Sequence, residues 1–447
     1  MARAKDTLSL KSRGKKPLAS LNTLVLEQLR QAPKTLIRLG LEDLIARKAP
    51  DAPKAALKDF AAHLMEKPGE AFSWDDGSDD GRDFTIELTA QELDLLLAQA
   101  KEFVEEDLPE IIPDLVRTTA ASLLKSLKAD WPAQRAHEEA QMDQFCENLR
   151  ARWGHAFDTL RMMYTISTEI GNEVVKSRRR SHAKKAPVLH DTMVRLHARA
   201  CQVTLEIITL MERGFADGAM ARWRTLHEIT IVAALLVEHG EDLAVRYRAH
   251  EAVESKRAMD RFALYHEQLG YGPPSAEEIE AIDRDYEAVL ARFGDRFGSE
   301  YGWAAFHLDM KKPRLVDLEA ALGRAAMQSY YRMASYNVHA GTRGLTFRLG
   351  ILEGENAPIA IAGASNAGFV DPARNTASDL TFITSLLSSG TDRFDRMVEW
   401  QILINLRDEL PKKLDKAQRE LDRACRAQLK MERQAAAKRK AKRRPQA

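Results

Sequence analysis

The sequence predicts an all-α protein: an antiparallel helical bundle core with an appended helical N-terminal region and a basic C-terminal tail. Three observations carry this. Apolar residues recur at the helical period along most of the 447 residues. Gly214 and Gly240 punctuate long periodic segments whose connections are so short that the helices must be antiparallel neighbours. Finally, no strands alternate with helices, and no GxSxG, P-loop or GxGxxG sequence occurs, which argues against a serine hydrolase, an NTPase and a dinucleotide enzyme.

The elements follow in order. Leu24, Leu26 and Leu29, then Leu36, Ile37, Leu39, Leu41, Leu44 and Ile45, predict two short helices broken at Ala32-Pro33. Residues 55–65 make a third, ended by Lys67-Pro68-Gly69. After the acidic stretch 74–83, the alternation Phe84-Thr85-Ile86-Glu87-Leu88 reads as a short strand, and Thr89-Ala90-Gln91-Glu92 as a capping box that opens a helix through Phe103. Helix resumes from Pro113 to Lys176, with a break expected at Trp131-Pro132. Beyond the basic linker Lys176–Lys185 come three strong helices, 190–213, 215–239 and 242–269. Further helices are expected at 276–292, 315–323, 325–339, 371–387 and 392–429, with an irregular excursion over 341–369.

The implied organisation is a basic tail (1–20), a small helical region with an acidic linker (21–83), a helical region (84–176), a basic linker (177–188), the bundle core (189–390), a charged helix (391–429) and a second basic tail (430–447). Both tails are expected to lack fixed structure.

Charge is segregated. Lys+Arg 67 against Asp+Glu 66 gives +1, yet residues 1–16 carry +5 and residues 430–447 carry +7, leaving −11 for the remainder. Basic ends of this kind suit phosphate contacts; the candidate nucleic-acid-binding residues are Lys15, Lys16, Arg178, Arg179, Arg180, Lys438, Arg439, Lys440, Lys442, Arg443 and Arg444. Apolar runs are too short to span a bilayer and the N-terminus lacks the apolar core of a signal peptide, so a cytoplasmic protein without a membrane partner is expected. Cys146, Cys201 and Cys425 stand apart, as isolated thiols rather than a disulfide or zinc scaffold.

Two constellations hold chemistry. On the central helix, Arg222, Arg224, His227 and Glu228 reach the edge of a core, and Arg224 and Glu228, four apart, are placed to pair. That pair reads either as a structural ion pair fixing helix register or as part of a polar site. On the segment 330–341, Arg332, Ser335 or Tyr336, and His339 fall along one helical stripe beside Asn337, and Gly341 is expected to end the helix just past His339. A histidine to move protons and an arginine to stabilise a charged phosphate are what metal-independent RNA cleavage needs. The same spacing also suits a purely structural role. His250 and Glu254 read as a surface hydrogen bond. Asp76, Ser78, Asp80, Gly81 and Glu87 match calcium-loop positions, but Asp83 and the flanking helix signals favour a solvated linker. No metal and no cofactor is expected.

Residues 188–389 resemble a bacterial family of unknown function, DUF5677, through Gly214-Phe215-Ala216-Asp217-Gly218-Ala219, Arg222 to Glu228, Arg246-Tyr247 with His250, Ser335 and His339, and Gly363-Ala364-Ser365-Asn366 leading into Asp371-Pro372-Ala373. More distantly, Arg332-x6-His339 on a helical core resembles the HEPN superfamily, whose ribonucleases use an Arg-x4–6-His motif; Met333 stands where those enzymes usually carry a polar residue. The resemblance implies phosphate binding by Arg332, proton transfer by His339, a homodimer, and an RNA-directed toxin or defence protein with an antitoxin or neighbouring-gene partner. The competing expectation is a non-enzymatic helical scaffold or nucleic-acid-associated adaptor, in which Arg224, Glu228 and His339 form a buried polar network.

Overall fold

The computed structural model describes residues 17–68, 70–74, 86–177, 185–351, 362–388 and 394–442. Among them every regular element is helical and none is a strand. The chain forms two compact units, residues 1–136 and 137–447.

In the first unit, α1 (Pro17–Lys48) and α2 (Lys54–Glu66) close a small core of Leu41, Ile45, Ala49, Leu57 and Ala61. Helix α1 runs straight through Pro33, so the expected break there is absent. One proline removes a single N–H, and the hydrogen bonds of the turns on either side carry the helix past it. Ile86 and Leu88 belong to no strand; they lay their side chains on the α1–α2 core. With no partner strand to pair, the backbone there is fixed by a side chain instead: the Lys48 ammonium donates to the Glu87 carbonyl at 2.5 Å and to Glu92 Oε2 at 2.7 Å. The capping box forms as expected at the start of α3 (Ala90–Glu102), where Glu92 N–H donates to Thr89 Oγ1 at 3.3 Å and Thr89 N–H donates to Glu92 Oε2 at 2.9 Å. A π turn, Phe103–Asp107, leads into α4 (Leu108–Ser177), which crosses from the first unit into the second. It too is unbroken at Trp131-Pro132: the residues around Pro132 are exposed, so the carbonyl that the proline leaves without a donor is not sealed in a core.

The second unit is built on α5 (Pro187–Glu212), α6 (Ala216–Ala249) and α12 (Val370–Leu387), which pack on one another around Trp153, Trp223, Phe369 and a continuous set of buried aliphatic side chains. Gly214 ends α5 at φ +86°, where Phe215 N–H donates to the Leu210 carbonyl at 2.8 Å, the six-to-one bond of a Schellman turn. Gly240, at φ +74° and ψ −150°, is non-helical, so the helix stop expected there holds and α6 is two helical stretches that meet at a kink. The segment expected as one helix over 242–269 is divided at His250, where α7 (Glu251–Tyr265) begins. Helix α8 (Ala276–Phe293) follows, and then short α9 (Leu315–Ala321) packs on α6. Helix α13 (Phe394–Lys442) packs on α12; near its start the buried Arg396 guanidinium donates to Glu173 of α4 and to Glu399, both at 2.7 Å.

The helix carrying the second constellation is shorter than the periodicity predicts. Helix α10 (Gln328–Tyr336) ends three residues before His339, and Gly341 is extended, preceding the one-turn α11 (Thr342–Thr346). The return of the chain explains the early end: a Cβ on Gly344 would lie 2.3 Å from the Tyr336 carbonyl oxygen, so the α11 backbone presses on the last turn of α10. His339 therefore does not share a helical stripe with Arg332.

Candidate functional site

Two polar clusters line the face of α6 that meets α9, α10 and α12. The inner one is sealed. His227 is fully buried, with Nε2 2.9 Å from Glu319 Oε1 and Nδ1 3.1 Å from Asp379 Oδ2. Asp379, also fully buried, accepts from the Trp223 indole N–H at 2.9 Å and, through its other oxygen, from Arg324 at 2.9 Å. The Arg324 guanidinium lies over the Phe382 ring, 4.4 Å from its centroid. Only a doubly protonated imidazole donates to two carboxylates at once. Burial opposes that charge, but the hydrogen bonds and charges of Asp379 and Glu319 outweigh it and hold the His227 pKa above its ordinary 6.5. Two carboxylates, one imidazolium and one guanidinium then balance, the condition for keeping charges under a core.

The outer cluster is open to water. Arg224 and Glu228 pair at 3.1 Å, with about a quarter to a third of each side chain exposed. The Tyr331 hydroxyl from α10 donates to Glu228, and the Arg224 guanidinium lies over the Tyr331 ring at 4.6 Å. Burial, then Glu228, push the Tyr331 phenol up and keep it protonated. Past the end of α10, exposed His339 presents Nε2 3.5 Å from Arg224 Nη1. Thus Arg224, Glu228 and His339 come together, half-buried and exposed rather than enclosed.

The other candidates divide. Arg332 is exposed on α10. The Ser335 hydroxyl donates to the Tyr331 carbonyl at 2.9 Å within the same helix. Tyr336 faces the Arg343 guanidinium, 5.7 Å from its ring, and Asn337 Oδ1 accepts from Arg348 at 3.1 Å. His250 lies elsewhere; it is buried, not on the surface, with Nε2 2.9 Å from the Ser299 carbonyl and its ring edge-on to Phe297. Lys15, Lys16, Arg178, Arg179, Arg180, Arg443 and Arg444 lie outside the described residues, as do the side chains of Lys438, Arg439, Lys440 and Lys442 and the acidic loop with Asp76, Ser78, Asp80, Gly81 and Asp83. Among the described residues no group of three or more His, Cys, Asp or Glu is placed to hold a metal ion, and no helix is long and apolar enough to cross a membrane.

Sequence reasoning missed Glu319, Arg324, Asp379 and Trp223. Asp379 left a trace, as a lone carboxylate in the interior of a helix otherwise made of small and apolar residues, Asn375 to Leu387. An acid so placed must find a buried partner.

Around the outer cluster charge is one-sided. Residues 324–352 contain Arg324, Arg332, Arg343, Arg348 and His339 and no Asp or Glu. From α6, the Glu228 carboxylate accepts from the Tyr331 hydroxyl.

Residues 190–356 match the model of a family described as a family of unknown function (DUF5677), a span that stops short of Gly363 to Ala373. No curated protein and no solved structure matches the chain significantly. The segments Gly214 to Asp217 and Gly363 to Asn366 nonetheless meet, with Ser365 N–H donating to the Gly214 carbonyl at 2.9 Å.

Proposed function

We propose that the chain is a HEPN-like, metal-independent endoribonuclease whose reacting groups are His339 and the guanidinium beside it. The observation that supports this is an exposed imidazole 3.5 Å from Arg224, in a stretch that carries Arg332, Arg343 and Arg348 and no acid. In such a site the 2′-hydroxyl of RNA attacks the adjacent phosphorus as His339 takes its proton; the bond from phosphorus to the 5′-oxygen breaks, that oxygen takes a proton from water, and a 2′,3′-cyclic phosphate remains. Arg224, pre-positioned by Glu228 and Tyr331, stabilises the charge that builds on the phosphate oxygens, and Arg332 holds a phosphate. The basic ends retain the strand through salt-sensitive phosphate contacts. A second protomer and a neighbouring-gene antitoxin belong to this reading through the HEPN resemblance.

The test is cleavage of single-stranded RNA in EDTA, with end-group analysis. The intact protein is expected to leave 2′,3′-cyclic phosphates, and His339→Ala to lose cleavage by roughly 100-fold or more. Equal cleavage by His339→Ala, or none by the wild type, overturns the assignment.

A second reading rests on the contact of Arg224 with Tyr331 and Glu228, which joins α6 to α10: a structural adaptor without chemistry. It expects no cleavage by any form of the protein, and a lower melting temperature for Tyr331→Phe, since the hydroxyl bond to Glu228 is worth about 1–3 kcal/mol.

A further inference from the structure

The N-terminal part of α4 carries an apolar face that the described residues leave largely open. Val116 is 62% exposed, Leu127 58%, Trp131 53% and Ile112 37%. Its residues are ordered in a particular way. Leu108 and Trp131, Ile112 and Leu127, and Val116 and Leu123 lie at equal distances on either side of the Thr119–Ala120 peptide. The pattern therefore reads the same from either end, with small residues, Thr119 to Ser122, at its centre. At 100° per residue these positions all fall on one side of the helix.

Charge follows the same division. Residues 102–114 hold six acids, Glu102, Glu105, Glu106, Asp107, Glu110 and Asp114, and no base, whereas residues 115–129 hold Arg117, Lys125 and Lys128 and no acid. Asp114 and Arg117 pair within the helix at 2.6 Å, but both are largely exposed, so that pair is weak.

We infer that residues 108–131 of α4 are a homodimerisation surface, occupied by the same segment of a second copy running antiparallel about a two-fold axis at Thr119–Ala120. An antiparallel copy layers Leu108 on Trp131, Ile112 on Leu127 and Val116 on Leu123, each twice, as an isologous interface requires. It also sets Glu110 and Asp114 of each helix level with Lys128 and Lys125 of the other. A parallel copy stacks acid on acid. Covering the exposed apolar side chains of both copies removes on the order of 1,200 Å² of surface, where specific dimers begin, and the small central residues let the helices approach closely. The surface lies outside the outer polar cluster and is argued from α4 alone, so its tests need no substrate and stand whether or not RNA is cut.

Sedimentation of the full chain at tens of micromolar is expected to give twice the mass of one chain. The substitutions Val116→Asp and Leu127→Asp together are expected to return one chain with unchanged helical circular dichroism. Register is read by disulfides in a Cys146→Ser/Cys425→Ser background. The double variant Val116→Cys/Leu123→Cys is expected to cross-link two chains on mild oxidation. These two positions lie about 10 Å apart on one helix, too far to bond within a chain. Val116→Cys alone is expected to remain uncross-linked, because its copy lies a similar distance away. A monomer at these concentrations overturns the proposal. So does cross-linking of the single Val116→Cys variant, which marks a parallel pair, or an intrachain Leu97→Cys/Leu124→Cys disulfide, which marks α3 as the occupant.

Discussion

His227 has no exposed surface, yet both of its ring nitrogens face carboxylates. Asp379→Asn leaves the imidazolium and Arg324 short of a counter-charge inside the core, and about 3–5 kcal/mol of stability is expected to be lost, measured by urea unfolding. The pH dependence has a definite sign. With its folded-state pKa above 6.5, His227 contributes stability that is whole below about pH 6.5 and is lost as pH rises through the higher folded value. The stability difference between wild type and His227→Gln should therefore shrink as pH is raised from neutral. His197 acts oppositely: burial pushes it down to about 4, so its contribution is lost as pH falls from 6.5 towards 4. Its neighbour Cys201, with Sγ 3.8 Å away and a thiol pushed by burial to about 12, should stay unmodified by thiol reagents until the protein unfolds.

The turns between elements decide which residues meet. At Gly214 a Cβ would lie 2.7 Å from the Phe145 ring and 2.8 Å from the Ala364 Cβ, in a backbone at φ +86° that L residues avoid. Gly214→Ala combines that strain with a clash, and a loss above about 2 kcal/mol is expected. At Gly240 the φ is also positive but nothing lies within 4 Å, so Gly240→Ala should cost only about 1 kcal/mol. Thermal unfolding of the two variants side by side tests whether packing separates them. Both stops were legible in the sequence, because a glycine after a long apolar period has few other uses. The end of α10 was not legible. Local spacing carries the helix to Gly341, but the pressure of Gly344 on the Tyr336 carbonyl comes from chain that returns later. The prolines erred the other way: Pro33, Pro113 and Pro132 all sit inside helices whose flanking hydrogen bonds outweigh the one that each removes.

For the molecule as a whole, the division at residues 136 and 137 falls inside α4, and the larger unit holds both polar clusters. Residues 137–447 expressed alone are expected to melt cooperatively within a few degrees of the full chain; a fragment without cooperative melting would place part of its core in the first 136 residues. The sequence by itself determined the helical class, the antiparallel α5–α6 hairpin, the cap at Thr89 and the pairing of Arg224 with Glu228. All of these rest on interactions within a few turns of one another. Only the tertiary structure decided that His227 lies between Glu319 and Asp379, residues 92 and 152 positions away, and that His339 stands beside Arg224 rather than on a stripe with Arg332. The physical reason is the reach of the signal. Periodicity and capping report neighbours along a helix, while a buried charge takes its partner from whichever helix the packing of the whole core brings to it.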